Sequence, residues 1–220
     1  MKQRLSDVLS AAERQQLFRK MLGDVMTAIS HAKSLDGLVV VTRDAEVQAL
    51  ARRYRATVLV ADADEGQSAA VTEAAKMLSR EGIQKIITLP GDVPLVKATE
   101  IDTVCNALST APAIGIVPNS DDTGSNSIAC SPPSAIPFMF GGMSFPRHLR
   151  AAEERQVDTQ VIRIPGIELD IDVASDLAKL LSFKTTTATQ RFLLSSGIAD
   201  RLEKHGSLQW QRRAVLTGNT

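Results

Sequence analysis

The stretch KIITLPGDVPLVKATEID (Lys85–Asp102) sets the reading of the whole chain. An apolar, β-branched run closes on Leu-Pro-Gly, an aspartate follows, and KATEIDTVCNALS (Lys97–Ser109) resumes with helical spacing. This predicts a strand, a turn and a helix, with Asp92 at the carboxyl end of the strand. Ligands of open parallel sheets bind in the crevice beyond those ends. A carboxylate placed there is penalised by burial unless a cation or N–H donors face it. Asp92 therefore reads either as a metal-binding carboxylate or as a turn aspartate bonded to nearby backbone N–H groups.

The same strand-then-helix unit recurs on the N-terminal side. Ser10 and Glu13 have capping-box spacing, and Leu17, Phe18, Met21, Leu22, Val25, Met26 and Ile29 continue at helical period. GLVVVTR (Gly37–Arg43) reads as a strand buried on both faces, and Asp44 as the cap of the next helix. TVLVAD (Thr57–Asp62) is a second strand, and GQSAAVTEAAKMLSREG (Gly66–Gly82) a second helix. Such alternation implies an α/β, Rossmann-like fold with a mostly parallel sheet. Further on, AIGIVPN and SNSIACS are short strands flanking the polar turn DDTG, and a helix begins near Ser144. QVIRIPGIELDID is expected to be extended, and VASDLAKLL helical. Residues 1–181 form the expected main domain. Residues 182–220 form an extension, helical at first and then frayed, with no recognisable chemistry.

Bulk properties exclude several classes of function. Lys+Arg and Asp+Glu both total 25 among 220 residues, which disfavours nucleic-acid binding by bulk charge. No apolar run approaches the roughly 20 residues that span a bilayer, and MKQRLSDVLS lacks the apolar core of a signal peptide. A cytoplasmic location is the resulting expectation. Cys105 and Cys130 read as small core residues rather than a disulfide framework.

Asp170 and Asp172 supply a second acidic group. Two apart in an extended segment, they share one face while Ile171 turns inward. Like charges side by side persist when solvated or bridged by a cation, so Asp92 with Asp170 and Asp172 could cage a hard cation. The alternative is that Asp172 caps the following helix, a role for which Asp176 is equally placed. DDTGSNS (Asp121–Ser127) reads as a hairpin turn, or as a turn that directs N–H and hydroxyl groups at an anion. In FGGMSFPRHL (Phe140–Leu149), Gly141 and Gly142 allow close backbone approach. Ser144 there opens a helix whose N–H groups favour a phosphate, or simply caps it. His148 reads as a packing or surface residue. The chain has no phosphate loop of the G-x-x-x-x-G-K-[ST] type, no G-x-G-x-x-G fingerprint and no G-x-S-x-G elbow.

LPGDVPL, DTGSNSIACSPPSAIPFMFGGMSFPRHLRAA and LDIDVASDLAKL, in this order, resemble the guanylyltransferases of deazaflavin coenzyme F420 biosynthesis. The likeness covers roughly residues 1–181. It implies a glycosyltransferase-A-like nucleotidyltransferase fold and transfer of GMP from GTP to a three-carbon phospho-acid, releasing pyrophosphate. The acceptor in that family is 2-phospho-L-lactate, phosphoenolpyruvate or 3-phospho-D-glycerate. The resemblance places Mg²⁺ on Asp92, Asp170 and Asp172, which thereby become the catalytic residues. It places the acceptor at Ser125, Gly141 and Ser144, and the nucleotide at Glu65, Gly66, Gln67 and Ser68. The family favours threonine at Ser125 and Leu-Asn at Gln67-Ser68.

One departure concerns the N-terminus. The family opens with a strand and a Pro-Lys loop before the stretch matched here by MKQRL, where Lys2 and Arg4 correspond. Without that strand, two strand edges are expected to be left open, from a start assigned too far downstream or from a degenerate copy. The rival readings are a molybdopterin-type nucleotidyltransferase and a non-catalytic nucleotide-binding remnant. A homodimer is allowed by the sequence but not required by it.

Overall fold

The computed structural model describes residues 2–60, 66–108 and 110–204. They fall into two compact units. One is built from the described residues of segments 1–25, 91–95 and 169–220, the other from those of 26–90 and 96–168.

The larger unit carries the strands. β1 (Val39–Val41) and β2 (Thr57–Leu59) pair in parallel, with Val39 opposite Thr57. β3 (Ile86–Thr88), β4 (Ala113–Pro118), β5 (Ser125–Ser131) and β6 (Asp158–Val161) form a second sheet in the order β3-β5-β4-β6. Only β5 runs against its neighbours, because the connection from β4 is a short hairpin, whereas a parallel partner needs a crossover. The remaining strands keep the mostly parallel character that alternating strands and helices imply. The two sheets are separate, so β1, β2, β3 and β6 each pair on one side only among the described residues. No described residue before Val39 belongs to a strand.

Helices α2 (Ala45–Arg53), α3 (Gly66–Arg80), α4 (Ala98–Asn106) and α5 (Ser144–Glu154) connect these strands. Asp44 caps α2 by accepting from the Glu46 and Val47 N–H groups at 2.9 and 3.1 Å. β4 is buried along its whole length. At Gly115 a Cβ would meet the Val104 carbonyl of α4 at 3.2 Å, so the absence of a side chain sets how closely α4 lies on the sheet. Ile114, Ile116, Ile128, Cys130, Ile136, Phe138 and Ala152 form the core of this unit. Burial pushes the Cys130 thiol up to about 12, in keeping with a packing role.

The smaller unit is helical. Its N-terminal turn, Gln3–Leu5, leads to α1 (Ala11–His31), where Ser10 and Glu13 exchange both hydrogen bonds of the capping box. α7 (Ala174–Ser182), α8 (Ala188–Ser195) and α9 (Ile198–Lys204) complete it. Asp24 of α1 accepts from the Ala188 and Thr189 N–H groups, both at 2.8 Å, and so satisfies the start of α8. Leu193, Ile198 and Leu202 share one core with Leu5, Leu17, Met21, Ile171 and Leu177. The described part of segment 182–220 is thus woven into this unit together with the N-terminal segment.

Two local expectations are corrected. The segment after β6 is interrupted by a helical turn, α6 (Pro165–Glu168), because Pro165 has no N–H for a ladder and its fixed φ suits the first position of a helix. β3 ends at Thr88, so Asp92 lies in the following turn rather than on the strand itself; Pro90 likewise cannot donate to a ladder.

Adjacent leucines of α8 separate packing from exposure. Leu193 is fully buried and Leu194 is 65% exposed. Leu193→Ala is expected to lower unfolding free energy by about 2–5 kcal/mol in urea titrations, and Leu194→Ala by less than about 0.5 kcal/mol. Equal losses would show that α8 is not part of this core.

Candidate active site

In the smaller unit, Asp92 and Asp172 close on one cation. The Lys2 ammonium donates to Asp92 Oδ2 at 2.5 Å and to Asp172 Oδ1 at 2.6 Å. The Lys2 side chain is only 8% exposed, against 22% for Asp92 and 49% for Asp172. Burial alone would pull the ammonium's pKa down, but the two carboxylates more than offset this and raise it. The backbone fixes the pair: the Ile171 N–H donates to the Asp92 carbonyl at 3.0 Å. Leu169 and Ile171 are buried while Asp170 and Asp172 lie at the half-buried positions, as the alternation predicts.

Asp172 is not spent on capping. Asp176 Oδ2 accepts from the Asp172 and Val173 N–H groups at 3.0 and 2.9 Å, which leaves the Asp172 carboxylate to Lys2. Asp92 Oδ1 is buried without a hydrogen-bond partner. A buried carboxylate oxygen left unsatisfied is costly, and a hard cation is the partner that suits it. The donor set therefore fits Mg²⁺ on Asp92 and Asp172. Among the described residues no three acidic, histidine or cysteine side chains gather as a metal cage.

In the larger unit, Ser125, Ser144 and Gly141 come together. Ser125 opens β5 and Ser144 opens α5. The Ser125 N–H donates to Ser144 Oγ at 2.9 Å, and the Ser144 N–H to the Gly141 carbonyl at 3.1 Å. The preceding turn is a hairpin, as its composition suggests: Asn119 Oδ1 accepts from the Thr123 and Gly124 N–H groups at 3.0 and 2.8 Å. Gly141 (φ +108°) and Met143 (φ +56°) are left-handed, which costs a methionine about 1–2 kcal/mol. Arg147 offsets that cost by donating to the carbonyls of Met139, Gly142 and Met143.

The start of α5 differs from expectation. The Ser144 N–H is taken by Gly141 and the Phe145 N–H by the Thr123 carbonyl at 3.2 Å, and Pro146 has none. The first turn of the helix thus offers no N–H of these three positions to a phosphate. Ser144 does not cap the helix either; it stands inside it and accepts from Ser125.

Of the nucleotide candidates, Gly66 (φ +72°) and Gln67 are exposed at the start of α3. Ser68 is half-buried, its hydroxyl 3.4 Å from the Phe140 carbonyl. Glu65 lies outside the described residues.

Two residues of the site go beyond the sequence reading. Lys2 was legible only as a matched position, because its partners lie 90 and 170 residues away. His148 is fully buried beside Ser125, where a packing or surface role was expected. Its spacing of four from Ser144 on one helix face is the signal that could have marked it.

Solved structures share this α/β fold. A Desulfovibrio desulfuricans protein of the nucleotide-diphospho-sugar transferase type superposes with a TM-score of 0.74 at 14% identity, covering 93% of this chain and 91% of the other. A 4-diphosphocytidyl-2C-methyl-D-erythritol synthase from Anaerococcus prevotii gives 0.57 at 14% identity over 79% and 86%. The chain belongs to the guanylyl transferase CofC-like family, which it matches over residues 1–214. It is 34% identical over 200 residues to a phosphoenolpyruvate guanylyltransferase of Roseiflexus castenholzii, covering 89% of this chain and 91% of that protein. A 3-phospho-D-glycerate guanylyltransferase of Colwellia psychrerythraea is 31% identical over 189 residues, 86% and 89% of the two chains. A 2-phospho-L-lactate guanylyltransferase of Methanocaldococcus vulcanius is 29% identical over 198 residues, 90% and 86%. This protein is accordingly a nucleotidyltransferase of the guanylyltransferase class.

His148 gives the site a pH signature. Burial, assisted by the neighbouring Arg147 charge, lowers its pKa from 6.5 to about 4. The unfolded chain then binds the extra proton first, so this contribution to stability is complete above pH 6.5 and is lost as pH falls toward 4. Between pH 7 and pH 5 the protein should lose about 2 kcal/mol through this group. Urea unfolding at the two pH values checks it: the loss should be largely absent from His148→Gln, and an equal loss in that variant would assign it elsewhere.

Proposed function

We propose that this protein transfers GMP from GTP to the phosphate of a three-carbon phospho-acid, as a step in making coenzyme F420. The reading is supported by one conjunction of features. A chain of the guanylyltransferase family holds an acidic pair closed around a cation, with one buried oxygen still unpartnered, and a separate pair of serines suited to an anion. An oxygen of the acceptor phosphate attacks the α-phosphorus of GTP in line. The bond to the bridging oxygen breaks and pyrophosphate departs, so atoms and charge balance without a covalent enzyme intermediate.

Asp92 and Asp172, with Asp170 beside them in sequence, would hold Mg²⁺, which when bound neutralises charge on the triphosphate. Lys2 keeps the two carboxylates together and supplies a further positive charge to the same place. Ser125 and Ser144 receive the acceptor, with Gly141 holding the loop. Gly66, Gln67 and Ser68 contact the nucleotide. The named relatives act on phosphoenolpyruvate, 3-phospho-D-glycerate and 2-phospho-L-lactate, so the acceptor is drawn from this set. A cytoplasmic enzyme working on soluble substrates fits a chain in which no described helix is long and apolar enough to cross a membrane.

Incubation with GTP, Mg²⁺ and each acid, followed by pyrophosphate release, tests the proposal. Release is expected with at least one acid, and Asp92→Ala or Asp172→Ala should cut turnover by a factor of about 100 or more, in line with loss of electrostatic stabilisation. Release with none of the three acids would favour a nucleotide-binding protein without turnover. Near-full activity of either variant would remove the metal assignment.

A further inference from the structure

We infer that His148 is a positioning residue that turns the hydroxyl of Ser125 into a dedicated hydrogen-bond donor for an anionic acceptor, beside the hydroxyl of Ser144. The inference deepens the proposed function and rests on its assignment of these serines to the acceptor.

The argument begins with the ring's two nitrogens. The Met139 N–H donates to His148 Nε2 at 2.8 Å. A backbone amide can only donate, so Nε2 carries no proton and the neutral ring is protonated at Nδ1. Nδ1 lies 2.9 Å from Ser125 Oγ and must therefore donate to it. The ring is fully buried and edge-on to Phe140, with centroids 5.4 Å apart, so it cannot readily turn over and reverse this polarity.

The second hydroxyl is fixed by the backbone, independently of the ring. Ser125 Oγ accepts from His148, and Ser144 Oγ accepts from the Ser125 N–H. Each hydroxyl has that single partner among the described residues, which leaves each with a proton to donate. The Ser144 and Phe145 N–H groups are used internally and Pro146 has none, so these two hydroxyls add side-chain donors at the helix start. Two donors fixed by buried acceptor duties suit a phosphate or carboxylate, and they disfavour a cation or a neutral donor. Arg147, on the same helix, adds a positive charge while holding the loop above Ser144.

Three measurements test this. Long-range ¹⁵N–¹H spectra of the histidines in the full chain should assign His148 as the Nδ1–H tautomer; an Nε2–H tautomer overturns the inference. Calorimetric titration of each phospho-acid into the Mg²⁺-loaded protein then reads binding without chemistry. His148→Phe should weaken the acid that binds at least tenfold, whereas His148→Asn, which can place an amide N–H near the lost Nδ1–H, should stay within about threefold. GTP affinity should change by less than about twofold in both variants. If His148 acts through Ser125, His148→Phe should have no further effect in a Ser125→Ala background, and additive losses would mark a merely structural role. Acid binding by a wild-type protein that releases no pyrophosphate would sink the catalytic reading and leave this inference standing. Absence of binding by all three acids would sink the inference itself.

Discussion

The contact on which the smaller unit depends is the Lys2 ammonium held between Asp92 and Asp172. It joins three stretches of chain that are remote in sequence, and the Ile171 N–H to the Asp92 carbonyl repeats the tie through the backbone. Two carboxylates this close would repel one another without a cation, and a largely buried ammonium would be costly without both partners. Each member therefore makes the others tolerable. Replacing Lys2 by a neutral group leaves two adjacent carboxylates without their counter-ion, whereas replacing either aspartate leaves a one-to-one ion pair. What the pair demands is positive charge, and the proposed Mg²⁺ would meet the same demand.

The larger unit solves a different electrostatic problem. An anion site is commonly read from a helix start, where free N–H groups and the helix dipole favour negative charge. Here the N–H groups of Ser144 and Phe145 are consumed by the loop and the hairpin, and Pro146 contributes none. Donor capacity moves to side chains whose other hydrogen-bonding roles are already filled. Two hydroxyls stand there instead, Ser125 Oγ facing the buried neutral His148 and Ser144 Oγ accepting from the Ser125 N–H. The low pKa of His148 belongs to the same design, because a protonated ring would lose its bond from Met139.

Much of this was legible in the sequence where the signal is local. The Ser10–Glu13 capping box, the Asp44 cap, the hairpin at DDTG and the inward turn of Ile171 each follow from a few adjacent residues, and each is present. The choice between Asp172 and Asp176 as the helix cap could not be made locally, because both stand within reach of the same N–H groups; the structure gives capping to Asp176. Lys2 had no local signal for its role. The burial of residues 188–204 was also hidden: α8 and α9 are short and polar on one face, and their apolar positions gain meaning only against Leu5, Leu9 and Met21. The helical turn at Pro165–Glu168 was masked by an apolar run whose periodicity suits a strand equally well.

The donor arrangement also bears on why relatives of this chain carry three different acceptor names. Hydroxyl donors recognise negative oxygen, and the three acids present a phosphate and a carboxylate on a three-carbon frame. They differ mainly in the groups that lie between these two anions. On the proposed assignment, Ser125 and Ser144 would select the class of acceptor and leave the member of the class to contacts with the carbon frame. Ser125 stands where the family favours threonine, so this chain presents one methyl group fewer beside the hydroxyl. A methyl in a close-packed pocket is worth about 1 kcal/mol, enough to shift preference among acids of similar shape without altering the anion contacts. On that assignment, acceptor preference in this chain is expected to respond to small apolar changes beside Ser125 and Ser144.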